Sequence, residues 1–392
     1  MRSAYVVLSS TSFEQSRPVM GHISTSVSGV KSRYMLRPMN VDDIPAIRVI
    51  FKQVFRPNSK DCNENFDQYF QKLFFDNPYY DPEIGSVVHE NDRGEIDSAL
   101  SILPVPYVVD GQSVMGRLLC AFMMKPEASP RGAAELSLSI RPTEKTINFS
   151  DTAAPVSLRH FEAIGGVTLG AHALGWTRIF QMASYVATIA ARRHPILGGW
   201  VTSTGRMLNP LFPLPPIKKI AKSHVTVKEI TQDEAVSVIP VLLESYSAHP
   251  DWTEKDLHWL LHMAEDNRAA GALRFFAIND PTGTPIGFFC YYSRPNGMVE
   301  VLNVITKAGT ERQAINVMLF HLQEEGHVAA QGRVDPRYLS ALSQQSNMFF
   351  RHRANVCVTT ARADVLNAVE RNNMFIGGLA GESWSRLSTD FF

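Results

Sequence analysis

Residues Arg117 to Met124 read RLLCAFMM and are apolar almost throughout. Such a run fits a strand buried on both faces. Two prolines, Pro126 and Pro130, end it, and Arg131-Gly132-Ala133-Ala134 opens a helix with little side-chain bulk. A second strand and a second helix follow, and Gly165-Gly166 closes that helix. A helix start without bulk offers backbone N–H groups and a partial positive charge, which suit a phosphate. The stretch from Arg117 to Gly166 therefore governs both the expected fold of the first half and the expected place of a ligand.

A chain of 392 residues exceeds one ordinary core, so two domains are expected. Hydrophobic residues make up 45% and charged residues 19%, as in a chain that folds unaided. The formal net charge is zero, which gives a nucleic-acid partner no support. Cys62, Cys120, Cys290 and Cys357 are far apart and form no paired motif. Isolated cysteines in apolar runs read as free thiols, hence a reducing, cytoplasmic setting. The best apolar candidate for a membrane span, Ile179 to Ala191, contains Gln181 and falls short of the ~20 residues required. Residues 1–32 are serine-rich with one acid, Glu14, and read as a disordered tail or a start codon called too early, with a transit peptide as the minor alternative, not a secretory signal.

Taken in order, Tyr34 to Pro38 is a short strand. Ile44, Ile47, Phe51, Val54 and Phe55 recur at helical spacing, as do Phe66, Tyr69, Phe70, Leu73 and Phe74. Strands follow at Gly85–His89 and Ile96–Pro104, and Asp110-Gly111 signals a hairpin turn. After the Arg117 strand come a helix, a strand, a helix and a last strand region, Val167 to Ile179.

That order, with Leu36-Arg37-Pro38, Val41-Asp42-Asp43, Met124-Lys125-Pro126 and Pro130-Arg131-Gly132, resembles the GNAT family of acyl-CoA-dependent N-acyltransferases. Asp151-Thr152-Ala153, Arg159 and Glu162 to Gly166 resemble the family's last helix and its approach. The resemblance implies an α/β (α+β) fold, a mixed, mostly antiparallel sheet flanked by helices. It also implies acetyl-CoA or another acyl-CoA as co-substrate, no metal, and an amine-bearing acceptor. Under it, Phe122, Met123 and Met124 pair their backbone with the pantetheine amides, while Arg131, Gly132, Ala133 and Ala134 face the pyrophosphate. The same four residues also read as an ordinary helix start built of good helix formers.

Acyl transfer to an amine needs the amine made neutral and the leaving thiolate protonated. Many GNAT members place a Tyr on the last helix as the acid, and Phe161 stands there in this chain. The catalytic residue is therefore unassigned, with Asp151 and His160 as the nearest replacements. Asp151 also reads as a helix N-cap, and His160 as a solvent-side or partly buried residue.

Residues 163–228 contain no Asp or Glu but include Arg178, Arg192, Arg193, Arg206, Lys218, Lys219, Lys222 and Lys228. They read as a basic, Pro-rich connector with a helix near Phe180 to Arg193. Alternatives are a wall for an anionic ligand or a peripheral membrane contact. From His224 the element order of the first half repeats, which points to an internal duplication. Thr253 to Asp256 forms a capping box, Asn296-Gly297 a hairpin turn, and Asn355 to Thr360 a strand. The loop Thr306 to Ala314 keeps only Gly309, so this half reads as a GNAT-like domain that has lost its cofactor and shapes the cleft. The reverse assignment, with this half active, stays open. His258 and His262 lie four apart on one helix without a third ligand and read as packed or exposed histidines.

The domains expected are thus a tail 1–32, a GNAT-like domain 33–180, a connector 181–223 and a second GNAT-like domain 224–392. The expected activity is acyl-CoA-dependent N-acyl transfer, acetyl above all, by direct attack on the thioester in the first half. The rival expectation is an inactive GNAT-fold scaffold that binds a partner through the cleft or through 163–228.

Overall fold

The computed structural model describes residues 35–57, 64–193, 205–215, 217, 225–294 and 297–389. The segment 1–32, Cys62, Asn296 and the lysines 218, 219 and 222 lie outside the described residues.

The first sheet takes strands β1 (Met35–Pro38), β2 (Val87–Glu90), β3 (Ile96–Val109), β4 (Gln112–Met124), β5 (Thr146–Ala153) and β6 (Val167–Thr168). Helices α1 (Ile44–Phe55) and α2 (Glu64–Phe74) follow β1, α3 (Pro130–Leu138) follows β4, and α4 (Pro155–Ala163) follows β5. Next come β7 (Leu174–Ile179) and α5 (Met182–Arg193). The second half supplies β8 (Thr226–Ile230), α6 (Gln232–Leu243), β9 (Ala248–Pro250), α7 (Glu254–Glu265), β10 (Ala272–Asn279), β11 (Pro285–Ser293) and β12 (Met298–Thr306). It ends with α8 (Glu311–Glu324), β13 (Ala329–Arg333), α9 (Leu339–Ser343), β14 (Met348–His352), β15 (Asn355–Thr359) and α10 (Ala363–Glu370).

Strand order in the first sheet is β1-β2-β3-β4-β5-β15-β6, with β9 added on β3, and in the second β14-β7-β13-β12-β11-β10-β8. The two orders match strand for strand, and the match exposes a reciprocal exchange. β15 comes from the end of the chain and completes the first sheet, while β7 crosses into the second. The sheets therefore do not follow the contiguous halves 33–180 and 224–392. Pairing is antiparallel except at two places, β4 with β5 and β12 with β13.

Local sequence accounts for most elements. Asp110 (φ 47°) and Gly111 (φ 81°) turn the β3–β4 hairpin through the left-handed region. Thr253 and Asp256 exchange hydrogen bonds across the first turn of α7 as a capping box. Phe51, Phe66, Phe70 and Phe74 form a ring ladder with centroids 5.0, 5.4 and 4.5 Å apart along α1 and α2. One buried cluster runs from these rings through Phe149 to Ile239, Leu261 and Phe288 of the second half and on to Phe375 and Trp384. Smaller clusters lie behind each sheet, around Leu136 and Phe161 for the first and around Ile315 and Met318 for the second. Among the described residues, no helix is long and apolar enough to cross a membrane.

Candidate active site

The two parallel pairings are short, and both end in a split. β4 and β5 pair only from Met115/Thr146 to Leu118/Phe149. β12 and β13 pair only from Met298/Ala329 to Val301/Gly332. Beyond each last pair the long strand carries an extra residue: Cys120 in β4 and Leu302 in β12 have no partner on the neighbouring strand. Such bulges turn a strand away from its neighbour. Residues 119–124 of β4 thus pair with β3 alone, leaving backbone groups on the β5 side without a strand partner. A β-like ligand with amide groups fits that edge.

The expected cofactor residues occupy this split and the helix after it, but for partly different reasons. Phe122, Met123 and Met124 are the last residues of β4. The start of α3 is less bare than the sequence suggests. Ser129 caps it, accepting from the Arg131 N–H through its side chain (3.3 Å) and from the Gly132 N–H through its carbonyl (3.1 Å). Gly132 faces inward: a Cβ there would lie 2.7 Å from Ser98 Oγ and 2.9 Å from His89 Nδ1. Its small size is therefore required by packing on the sheet. His89 is fully buried between two acids, 2.7 Å from Asp97 and 3.6 Å from Glu135. Glu135 in turn accepts from Arg131 Nε at 2.9 Å, so Arg131 rests against its own helix. Ala133 is buried and Ala134 exposed.

Of the two catalytic candidates, His160 lies on the α3 side. Its Nδ1 is 3.1 Å from Ser137 Oγ and its ring 5.4 Å from that of Phe122. Burial and the charge of Arg159 hold its pKa below the usual histidine range. Phe161 packs in the cluster with Leu136 and Ile140, so the position where an acid was expected is core in this chain. Asp151 is not a helix cap, because Ala154 occupies that place and Pro155 begins α4. It lies inside β5, is fully buried, and faces a segment that sequence reasoning passed over.

That segment, Met374 to Trp384, runs between the two splits. Three glycines let it pass closely. A Cβ on Gly378 would fall 2.3 Å from the Asn303 amide, and one on Gly381 2.2 Å from Asp151 Oδ2. The Leu379 N–H donates to Asn303 Oδ1 (2.6 Å) and the Glu382 N–H to Asp151 Oδ1 (3.0 Å). The Glu382 carboxyl accepts from the Thr152 hydroxyl and is 6% exposed. Burial first, then the charge of Asp151, pushes its pKa up to about 8. Arg333, at the end of β13, reaches across the seam to within 3.7 Å of Asp151 Oδ2. Among the described residues that oxygen and Arg333 Nε are buried without a hydrogen-bond partner, so the seam holds unused polar capacity. The charges of Glu382 and Asp151 also bear on Cys120, whose thiol is pushed well up by burial. A protonated thiol is a poor nucleophile.

The second split is not closed. A cleft there, about 470 Å³ including open solvent, is lined by Trp176, Asn303, Arg333, Asp335 and Tyr338. Asp335 is held by the Tyr246 hydroxyl (2.7 Å) and the Arg337 N–H (2.9 Å), and Arg337 lies over the Tyr246 ring at 4.0 Å. At the start of α8 the Glu311 carboxylate already accepts from the Gly309 N–H (3.1 Å), where a phosphate would need to bind.

No known protein-family profile matches the chain, and no curated protein matches it by sequence. Solved structures do match. One is a probable N-acyltransferase of unknown function from Enterococcus faecalis, 11% identical, covering 83% of this chain and 72% of its own, with a TM-score of 0.54. Two are GCN5-related N-acetyltransferases. The one from Anabaena variabilis is 13% identical, covers 83% and 72%, and has a TM-score of 0.51. The one from Kribbella flavida is 13% identical, covers 83% and 71%, and has a TM-score of 0.50. The chain thus has a GNAT-like acyltransferase fold, with two mixed, mostly antiparallel sheets flanked by helices.

Proposed function

We propose that the protein transfers an acyl group, acetyl above all, from acyl-CoA to an amine, using the split of the first sheet. One observation carries this reading: the bulged, unpaired edge of β4 opens beside a buried acid pair, Asp151 and Glu382, supplied by the two halves of the chain. The edge at 119–124 accommodates the pantetheine amides, and Arg131 turns from Glu135 toward the pyrophosphate. The Glu311 carboxylate supports the assignment to the first half, because at the start of α8 it already accepts from the Gly309 N–H, where a phosphate would bind.

The amine attacks the thioester carbon and the carbon–sulfur bond breaks. The nitrogen must lose a proton and the sulfur gain one. A carboxyl with a pKa near 8 is suited to both transfers close to neutrality. Glu382 takes the amine proton and returns it to sulfur. Asp151 holds the Glu382 backbone in place. The high pKa of the Cys120 thiol favours direct attack over a thiol-bound intermediate.

The test has two parts. Acetyl-CoA at 100 times its dissociation constant should stabilise the protein by ~2.7 kcal/mol in a melting experiment. With an accepted amine, kcat/KM should rise through about pH 8, and Glu382→Gln should flatten that limb and cost ~10²–10⁴ in rate. Absence of any shift with acetyl- or longer acyl-CoA sinks the enzyme reading and leaves the scaffold one.

A further inference from the structure

A second hollow, about 340 Å³ including open solvent, lies where the first sheet meets α7. Its floor is apolar, made by Leu103 and Val105 of β3 and Leu118 of β4. Its walls are aromatic: Tyr79 from the loop after α2, Trp252 from the turn before α7, and Trp259 on α7. One acid, Asp256, is set among them and is 5% exposed.

Asp256 is a buried carboxylate without a cation. Its Oδ2 accepts from the Thr253 N–H (2.7 Å), the Thr253 hydroxyl (2.6 Å) and the Tyr79 hydroxyl. Its Oδ1 takes none of these bonds. Among the described residues no Lys, Arg or His pairs with it, although a carboxylate withdrawn from water usually has such a partner. Asp251 adds a second negative charge nearby, felt at Tyr79. Capping of α7 accounts for Oδ2. It does not account for the Tyr79 phenol brought from the loop after α2 to join the two indole rings that flank the acid. A carboxylate with aromatic faces beside it is the chemistry that recognises an organic ammonium group.

We propose that this hollow binds an alkyl- or arylalkylammonium group, its charge on Asp256 and the indole faces of Trp252 and Trp259, its apolar body on the sheet. Its place makes it the acceptor pocket of the transfer proposed above, and only that role rests on the transferase reading. Leu118 pairs with Phe149, two residues before Asp151, and Leu379 on its rim lies three residues before Glu382. The hollow thus touches the strand and the segment that lead to Asp151 and Glu382.

The experiment measures binding to the full chain near neutral pH without acyl-CoA, using 2-phenylethylammonium and its neutral isostere 2-phenylethanol, by ligand-observed NMR. The ammonium should bind about tenfold more tightly than the alcohol. Asp256→Asn should remove that difference and leave the alcohol unchanged, and Trp252→Ala, outside the cap, should weaken both probes. Equal affinities for the two probes in the unaltered protein overturn the proposal. So does a preference that survives Asp256→Asn in a protein whose melting temperature shows it folded; if that variant does not fold, Trp252→Ala decides, and unchanged binding of both probes there overturns it. Ammonium binding without any acyl-CoA effect on melting keeps the pocket and overturns the transferase reading instead.

Discussion

Phe161 shows how a residue's role depends on its surroundings. By sequence it stands where the GNAT resemblance implies a proton-donating Tyr, and its absence of a hydroxyl reads as a lost acid. In the structure it is 5% exposed and packed against Leu136 and Ile140. Phe161→Tyr should therefore bring no gain in rate. It should instead lower stability by ~1–3 kcal/mol by burying an unpaired hydroxyl, read from urea unfolding. Asp151 went the other way, from an expected cap to a fully buried acid at the seam. Nothing local distinguishes the two, because Pro155 begins a helix just as well after Ala154. Glu382 was illegible as a site residue, since its only signal is the run Gly377-Gly378-Leu379-Ala380-Gly381 before it. Glycines so dense mark a close backbone approach, but not to what. Its raised pKa has a stability consequence too. The folded state keeps its proton between about 4.5 and 8 while the unfolded chain loses it, so this group lowers stability as pH rises through that window.

At the scale of elements, most of the fold was readable. The period of α1 and α2, the Asp110-Gly111 turn and the Thr253 box are local signals, and the structure keeps each of them. β14 was missed because four of its five residues are exposed, so it has no alternating pattern to read. The 374–384 segment is an element in its own right, although it has almost no regular structure. Its attachment rests on glycine at two points. Gly378 has φ +59° with the Asn303 amide against its Cα, and Gly381 lies against Asp151. Gly378→Ala and Gly381→Ala should each loosen the segment, at ~1–3 kcal/mol in melting and with faster protease cleavage after residue 374. The Glu382 limb of the pH–rate profile should weaken in the same variants.

At the scale of the molecule, the repeated element order was legible and the exchange was not. β7 and β15 are short, largely buried strands that suit either sheet, and alternation along a strand says nothing about which sheet takes it. Only the register shows that each half completes the other. With one buried cluster also shared between halves, the protein should unfold in a single transition, and residues 1–223 or 224–392 expressed alone should aggregate. Two separate transitions in calorimetry, or a soluble half with a sharp melt, would contradict this.

The exchange also sets the order in which the protein can be finished during synthesis. After β5 has emerged from the ribosome, its neighbour β15 is still roughly 200 residues away. At about 5–20 residues per second that is a wait of ~10–40 s. Throughout it the first sheet has an open edge at β5, and the acid pair lacks Glu382. The nascent first half is thus a sheet waiting for its last strand, exposed to any extended segment nearby until residues 355–384 arrive.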